Sequence, residues 1–236
     1  MRSFVRHLRR VGPVVAGVAA LAAGPLRAQA PGLPIINAGV ARGVTLGAQL
    51  GFPNGAAGDG TAFGVVGSLG FRRLAVGAVV AGVSGADWSN GTVRSVGGNL
   101  TVKLAGGPLV PIAVNLQAGA AYVAPDNGYD GARAWRMPVG IGISWTIPQP
   151  VVAVKPWIAP RIDHTRTRGP DPALDPLPGG PVPMVNTTET DLGVSAGVSF
   201  GFLNGLGLEV AIDRVFGEGP GSKPTTFGVG ISWSLK

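Results

Sequence analysis

The stretch Thr226-Phe227-Gly228-Val229-Gly230-Ile231-Ser232-Trp233-Ser234-Leu235 alternates large apolar residues with Gly, Ser or Thr and never breaks step. Successive side chains of a strand leave on opposite faces, so this spacing predicts a β-strand with one large apolar face and one face of small residues. Leu192, Val194, Ala196, Val198, Phe200 and Phe202 repeat the pattern against Gly193, Ser195, Gly197, Ser199 and Gly201. Met137, Val139, Ile141, Ile143 and Trp145 do so against Pro138, Gly140, Gly142 and Ser144.

Extended along the chain, the same template predicts ten strands, near 43 to 52, 61 to 71, 73 to 83, 92 to 105, 111 to 123, 135 to 147, 151 to 164, 190 to 202, 206 to 216 and 226 to 235. The second and third are the least regular, because Val65-Val66 and Val79-Val80 place two apolar residues in succession; eight strands is the alternative. Connections after the even strands are short, as at Gly106-Gly107-Pro108 and Leu203-Asn204-Gly205, and those after the odd strands are long, the longest from Thr165 to Glu189. This is an all-β, up-and-down antiparallel meander in a single domain over residues 43 to 236, with all tight turns at one end.

Composition sets the class. Of 236 residues, 40 are Gly, 21 are Pro and none is Cys, and only 13% are charged, about half the roughly 25% of an ordinary soluble domain. With 45% hydrophobic residues and no Gly-X-Y period, neither disorder nor collagen fits, and a disulfide framework or thiolate chemistry is excluded. The net charge of +7 hints at nucleic acid until its location is examined. Arg2, Arg6, Arg9, Arg10 and Arg27 all precede residue 31, in a leader with no acid, an apolar run from Val11 to Leu26 and the small-residue pattern Ala28-Gln29-Ala30. Residues 1 to 30 therefore read as a secretory signal peptide cleaved near Ala30, the run being too short and too Gly/Pro-interrupted to span as a helix. Without those five arginines the chain is nearly neutral and no nucleic-acid footprint remains. Residues 31 to 42 form an N-terminal leader segment before the first strand.

Alternation alone does not say which face points outward, since soluble barrels alternate too, with the apolar face inside. Here the weaker face is Gly, Ser, Thr, Ala, Asn and Gln with few charges, the composition of an interior, so the large apolar face must meet hydrocarbon. Strands of about ten residues at ~3.3 Å per residue, tilted ~40°, rise ~25 Å, the height of a barrel's apolar band. Aromatic residues of outward parity fall at two levels, as membrane interfaces require. Phe52, Phe63, Tyr122, Trp135, Phe216 and Phe227 lie toward the long loops, and Phe71, Trp145, Phe202 and Trp233 toward the tight turns.

With these features the chain resembles the bacterial outer-membrane β-barrel proteins: a signal peptide, an even number of strands, short turns on one side, long loops on the other, and a final strand Phe227 to Leu235 similar to that superfamily's assembly signal. It departs in ending Trp233-Ser234-Leu235-Lys236, where such chains usually finish on an aromatic residue. The resemblance implies location in the bacterial outer membrane, contact with its lipid, passage through the outer-membrane insertion machinery, and no nucleic-acid partner; oligomeric state stays open.

Catalytic and ligand chemistry is sparse. The mature chain has one histidine, His164, and the adjacent Asp163 points to the opposite face of a regular strand, so it cannot orient the ring. Ten strands resemble the omptin proteases in number, but their paired Asp and His rim motif has no match. The expectation is a protein that is not an enzyme and holds no cofactor or metal, with a membrane-embedded hydrolase as the remote alternative. Asp126-Asn127-Gly128-Tyr129-Asp130-Gly131 has oxygens for calcium but lacks the EF-hand spacing and reads as a turn, and Pro170 to Pro183, with six prolines, reads as a stiff loop.

Inward charges define polar layers. Lys103, Lys155 and Glu209 lie low, toward the tight turns, and Arg136, Arg161, Asp163 and Asp213 lie toward the loops. Unpaired charge in a narrow lumen is expensive, so Arg136 is expected to pair with Asp163 and Lys155 with Glu209. Inward glycines, among them Gly51, Gly70, Gly140, Gly142, Gly193, Gly197, Gly201 and Gly228, remove side-chain volume and favour a water-containing lumen, which the leader or the seventh loop would obstruct. The functional expectation is a structural barrel or a narrow passive channel for small ions and solutes; the alternative is a surface-exposed binding or adhesion barrel acting through its long loops.

Overall fold

The computed structural model describes residues 32–54, 60–84, 92–107, 110–124, 132–170, 183–217 and 224–235. The signal-peptide region, the 126–131 turn and residues 171–182 of the proline-rich stretch lie outside them.

Ten strands form: β1 (Gly43–Pro53), β2 (Thr61–Phe71), β3 (Leu74–Ser84), β4 (Thr92–Gly107), β5 (Val110–Ala124), β6 (Arg133–Trp145), β7 (Val152–Pro170), β8 (Met184–Phe202), β9 (Leu206–Phe216) and β10 (Thr225–Leu235). Each pairs antiparallel with its neighbours in sequence, and β1 pairs with β10, Val44 opposite Leu235 through Pro53 opposite Thr226, so the sheet closes into an up-and-down barrel without a free edge. The alternative of eight strands is thereby excluded. The β2–β3 turn passes through Arg72 at φ 44°, a left-handed conformation that its tightness imposes on a non-glycine residue.

Two strands outrun their expected lengths. β7 and β8 each run 19 residues, against 11 for β1, and stay paired from Val152 opposite Phe202 to Pro170 opposite Met184. The expected long loop from Thr165 to Glu189 is therefore strand at both ends, Thr165 to Pro170 in β7 and Met184 to Glu189 in β8. Thr165, Thr167, Thr187, Thr188 and Thr190 are β-branched and favour extended backbone, but above the membrane both faces meet water and the apolar alternation disappears. Eight residues more than β1 at ~3.3 Å each, tilted ~40°, lift the hairpin about 20 Å above the apolar band.

The outward face is apolar throughout the band. Leu46, Val65, Val80, Val139, Ile141, Ile158, Ile162, Leu192, Ile212 and Ile231 are all at least 43% exposed. So continuous an apolar surface exceeds anything a water-soluble monomer shows, and hydrocarbon is the solvent that satisfies it; this is a transmembrane barrel.

The inside holds a feature the strand pattern does not announce. Residues 32 to 42 run through the lumen. Leu33 is 2% exposed and sits in a cluster with Ala62, Val79, Ala81, Val83, Val93 and Val123, all inward residues of β2 to β5. Ile36 and Ala38 pack against Trp157, Ala159 and Ala211 on the opposite wall. The carbonyl of Ile36 accepts a hydrogen bond from Gln117 Nε2 at 3.1 Å. The Val65-Val66 and Val79-Val80 doublets now have a cause. Val65 and Val80 face lipid, while Val79 lines the Leu33 cluster and Val66 packs against it, so both faces of the sheet are apolar there.

Candidate functional site

The loop-side half of the lumen holds the barrel's main constellation of charge. Strands β6 to β9 bring Arg136, Arg161, Asp163, Ser195 and Asp213 onto one inward surface, with Arg161 opposite both Gly140 and Gly193 and Ser195 opposite Asp213. Both glycines are needed, because a Cβ at Gly193 would lie 2.8 Å from the Arg161 guanidinium carbon and one at Gly140 would lie 2.5 Å from Arg161 Cβ. Arg161 donates from Nη1 and Nη2 to Asp213 at 2.6 and 2.9 Å, from Nε to Asp163 Oδ2 at 2.9 Å, and from Nη1 to Ser195 Oγ at 2.7 Å. Ser195 Oγ donates in turn to Asp213 Oδ1. Arg136 binds Asp163 through Nε at 3.2 Å and Nη2 at 2.8 Å, and its Nη2 stands 3.9 Å from Asp213.

Each carboxylate thus meets both guanidinium groups. The side chains of Arg161, Asp163 and Asp213 are 2%, 3% and 6% exposed, and that of Arg136 is 17% exposed. Burying four charges is tolerable only because the bidentate pairs satisfy one another. Chemically the arrangement braces the lumen wall, since four of the five N–H donors of Arg161 and the Ser195 hydroxyl are committed within it.

The tight-turn half differs from expectation. Lys155 and Glu209 share the inward face, but no ion pair joins them among the described residues. Glu209 Oε1 instead accepts from Trp157 Nε1 at 2.8 Å and from Ser199 Oγ at 2.9 Å. The expected Lys155–Glu209 bridge is corrected on this ground: the Trp157 indole N–H and the hydroxyl of Ser199, which lies opposite both residues, take the Glu209 carboxylate. Lys103 faces the lumen from β4, opposite Asn115. Trp157, on the same face of β7 as Lys155 and Arg161, carries the leader on its ring and Glu209 on its nitrogen.

The inward glycines do different work from keeping water in the lumen. A Cβ at Gly51 would strike the carbonyl of Gly32, one at Gly70 that of Ala41, one at Gly142 the side chain of Asn37, and one at Gly228 the ring of Pro34. Gly197 makes room for the Trp157 ring. Gly201, near the turn end, does face open space. Beside the leader a cavity of about 10 Å³, room for one water, remains between Ile35, Asn99, Gln117 and Arg161.

Outside, Phe52, Phe63, Phe216 and Phe227 are exposed toward the loops and Phe71, Trp145 and Trp233 toward the turns. Tyr122, Trp135 and Phe202 are half-buried on the same surface. Phe52 and Phe227 stack at 6.4 Å across the β1–β10 seam, and the Tyr122 and Trp135 rings meet at 5.0 Å. His164 faces outward with Nδ1 2.9 Å from Thr190 Oγ1, while Asp163 is buried inside.

No family model matches the chain, and no curated protein does. Among solved structures it is similar to the N-terminal β-barrel domain of Pseudomonas aeruginosa OprF, at 10% identity over 82% of this chain and 98% of that one, with a TM-score of 0.39. It is similar to the outer membrane enzyme PagL at 11% identity over 81% and 99%, TM-score 0.40. To the outer membrane protease OmpT from Escherichia coli the values are 9%, 82%, 94% and 0.39. These structural neighbours are bacterial outer-membrane barrels. The expectation that the chain is not an enzyme is withdrawn on this finding, because barrels similar in fold include an enzyme and a protease; likeness of this size assigns no activity to the present chain.

Proposed function

We propose that this protein is an outer-membrane barrel closed by its own leader, with a structural and surface-presenting role: it anchors the raised β7–β8 hairpin on the outer side of the membrane. The carrying observation is the course of residues 32 to 42 through the lumen, with Leu33 and Ile35 at 2% and 3% exposure. A permeation path would have to pass the space that segment fills. The charged network supports the same reading, since its groups bind one another in place of lining an aqueous path. Secretion by a signal peptide cleaved near Ala30 delivers the chain to this location.

Planar-bilayer recording tests it. The mature chain from Pro31, refolded and inserted, is expected to be silent, and a chain beginning at Arg42 to conduct. Steady ion conductance by the chain that retains its leader would overturn the closed-barrel reading and restore the narrow channel.

A further inference from the structure

The direction in which the leader runs carries a consequence for topology. Gly32 lies against Gly51, Ala62 and Val83, near the last residues of β1, the first of β2 and the last of β3, which is the long-loop end of the barrel. Pro34 lies against Gly228 near the start of β10, Asn37 against Gly142 on β6, and Gly39 against Asn115 on β5. Ala41 then reaches Gly70, next to the tight β2–β3 turn. The segment enters at the loop mouth, descends the whole lumen, and reverses into β1 at Gly43, whose φ of 84° suits the bend. Its ten steps from Gly32 to Arg42 at ~3.3 Å cover about 33 Å, enough for an apolar band ~25 Å tall.

From this course we infer that the chain preceding Gly32 leaves through the long-loop mouth, so that the barrel carries its own N-terminus to the outer side of the membrane. The inference rests on the outer-membrane reading above, in which the long loops face outward. Its physical support is the lumen wall. Gly51, Gly64, Gly142 and Gly228, along the descent, each lack the Cβ that would collide with Gly32, Leu33, Asn37 and Pro34. Were the leader to hang free from the tight-turn end, Leu33 and Ile35 would lie in water and the apolar pocket of Val79, Val83, Val93 and Val123 would have no occupant. Threading also constrains assembly. A chain secreted with its N-terminus first must have residues 32 to 42 in place before β1 closes on β10, or draw them upward through the closed lumen.

Two measurements test the inference. In the first, the full-length chain receives one epitope tag between Ala30 and Pro31 and, separately, one between Pro176 and Leu177, and antibody binding to intact cells is compared with binding after lysis. Equal labelling of both tags on intact cells is the expected result. Labelling of the loop tag alone would overturn the inference while leaving the outer-membrane reading standing; a loop tag hidden in intact cells would overturn both. The second covers the case in which a tag itself hinders threading. The chain has no cysteine, so the pair Gly32→Cys and Ala62→Cys gives a clean crosslink. A Cβ at Gly32 falls 2.8 Å from Ala62 Cβ, within a small relaxation of disulfide geometry, whereas the pair Gly32→Cys and Gly70→Cys joins opposite ends of the lumen. Crosslinking of the first pair and none of the second, read as a mobility shift of heat-modifiable, folded protein, is expected. The reverse pattern, or no crosslink in folded protein, would overturn it.

Discussion

Replacing Arg161 by Met removes the centre of the buried network while keeping much of its volume. Asp213 loses both bonds to that guanidinium and keeps only the Ser195 hydroxyl and Arg136 at 3.9 Å; Asp163 keeps its bidentate Arg136. A buried charge stripped of its partner costs about 3–5 kcal/mol, a large part of the ~5–15 kcal/mol that holds a typical domain folded. Arg136→Met leaves Asp163 bound to Arg161 and Asp213 still paired, so its cost falls to about 1–3 kcal/mol. The decisive variant is Arg161→Met with Asp213→Asn. It removes the stranded charge and leaves Arg136–Asp163 intact, so it should recover most of what Arg161→Met alone loses. Urea unfolding in phospholipid vesicles, followed by tryptophan fluorescence, reads all three as midpoint shifts at constant slope. If Arg161→Met lies within about 1 kcal/mol of the parent, or the double variant is no more stable than the single, the lumen is wet enough to solvate these charges and the bracing argument fails.

Ile141, 43% exposed at mid-strand on β6, should tolerate Arg poorly: about 2–4 kcal/mol lost on folding into lipid, measured by the same titration, with no loss meaning that this face does not meet hydrocarbon. Trp157→Phe keeps the ring under the leader but removes the donor to Glu209, which retains Ser199; about 1–2 kcal/mol should be lost in urea unfolding. Leu33→Ala should cost about 2–4 kcal/mol and increase cleavage of the leader by added protease, since it empties the pocket that anchors that segment. Arg133 and Arg168 stand directly opposite each other on the outward face of β6 and β7, a like-charge pair. Arg168→Glu should raise stability by up to about 1 kcal/mol in phosphate-free detergent, and less in bilayers whose outer leaflet carries anionic phosphate to neutralise both arginines.

The alternation at Phe227 to Leu235 and its repeats was sufficient to place ten strands, the closed meander and the lipid-facing surface. Each of those depends on the chemistry of single residues at a spacing of two, which a sequence displays directly. Parity likewise put Arg136, Arg161, Asp163 and Asp213 on one surface. Side-chain packing inside the closed barrel then decided which of them met, giving Glu209 to Trp157 and Ser199 in place of Lys155. The extra length of β7 and β8 escaped the pattern because alternation marks a strand only where one face is buried and the other is not. The leader escaped it for a different reason. An eleven-residue segment such as 32 to 42 has no period of its own, and its partners, from Gly51 and Val83 to Asn115, Gly142 and Gly228, are scattered along the chain until the barrel closes and turns them all inward. Read singly, those glycines looked like empty space. Only the closed sheet shows them as the groove in which the chain's own backbone lies.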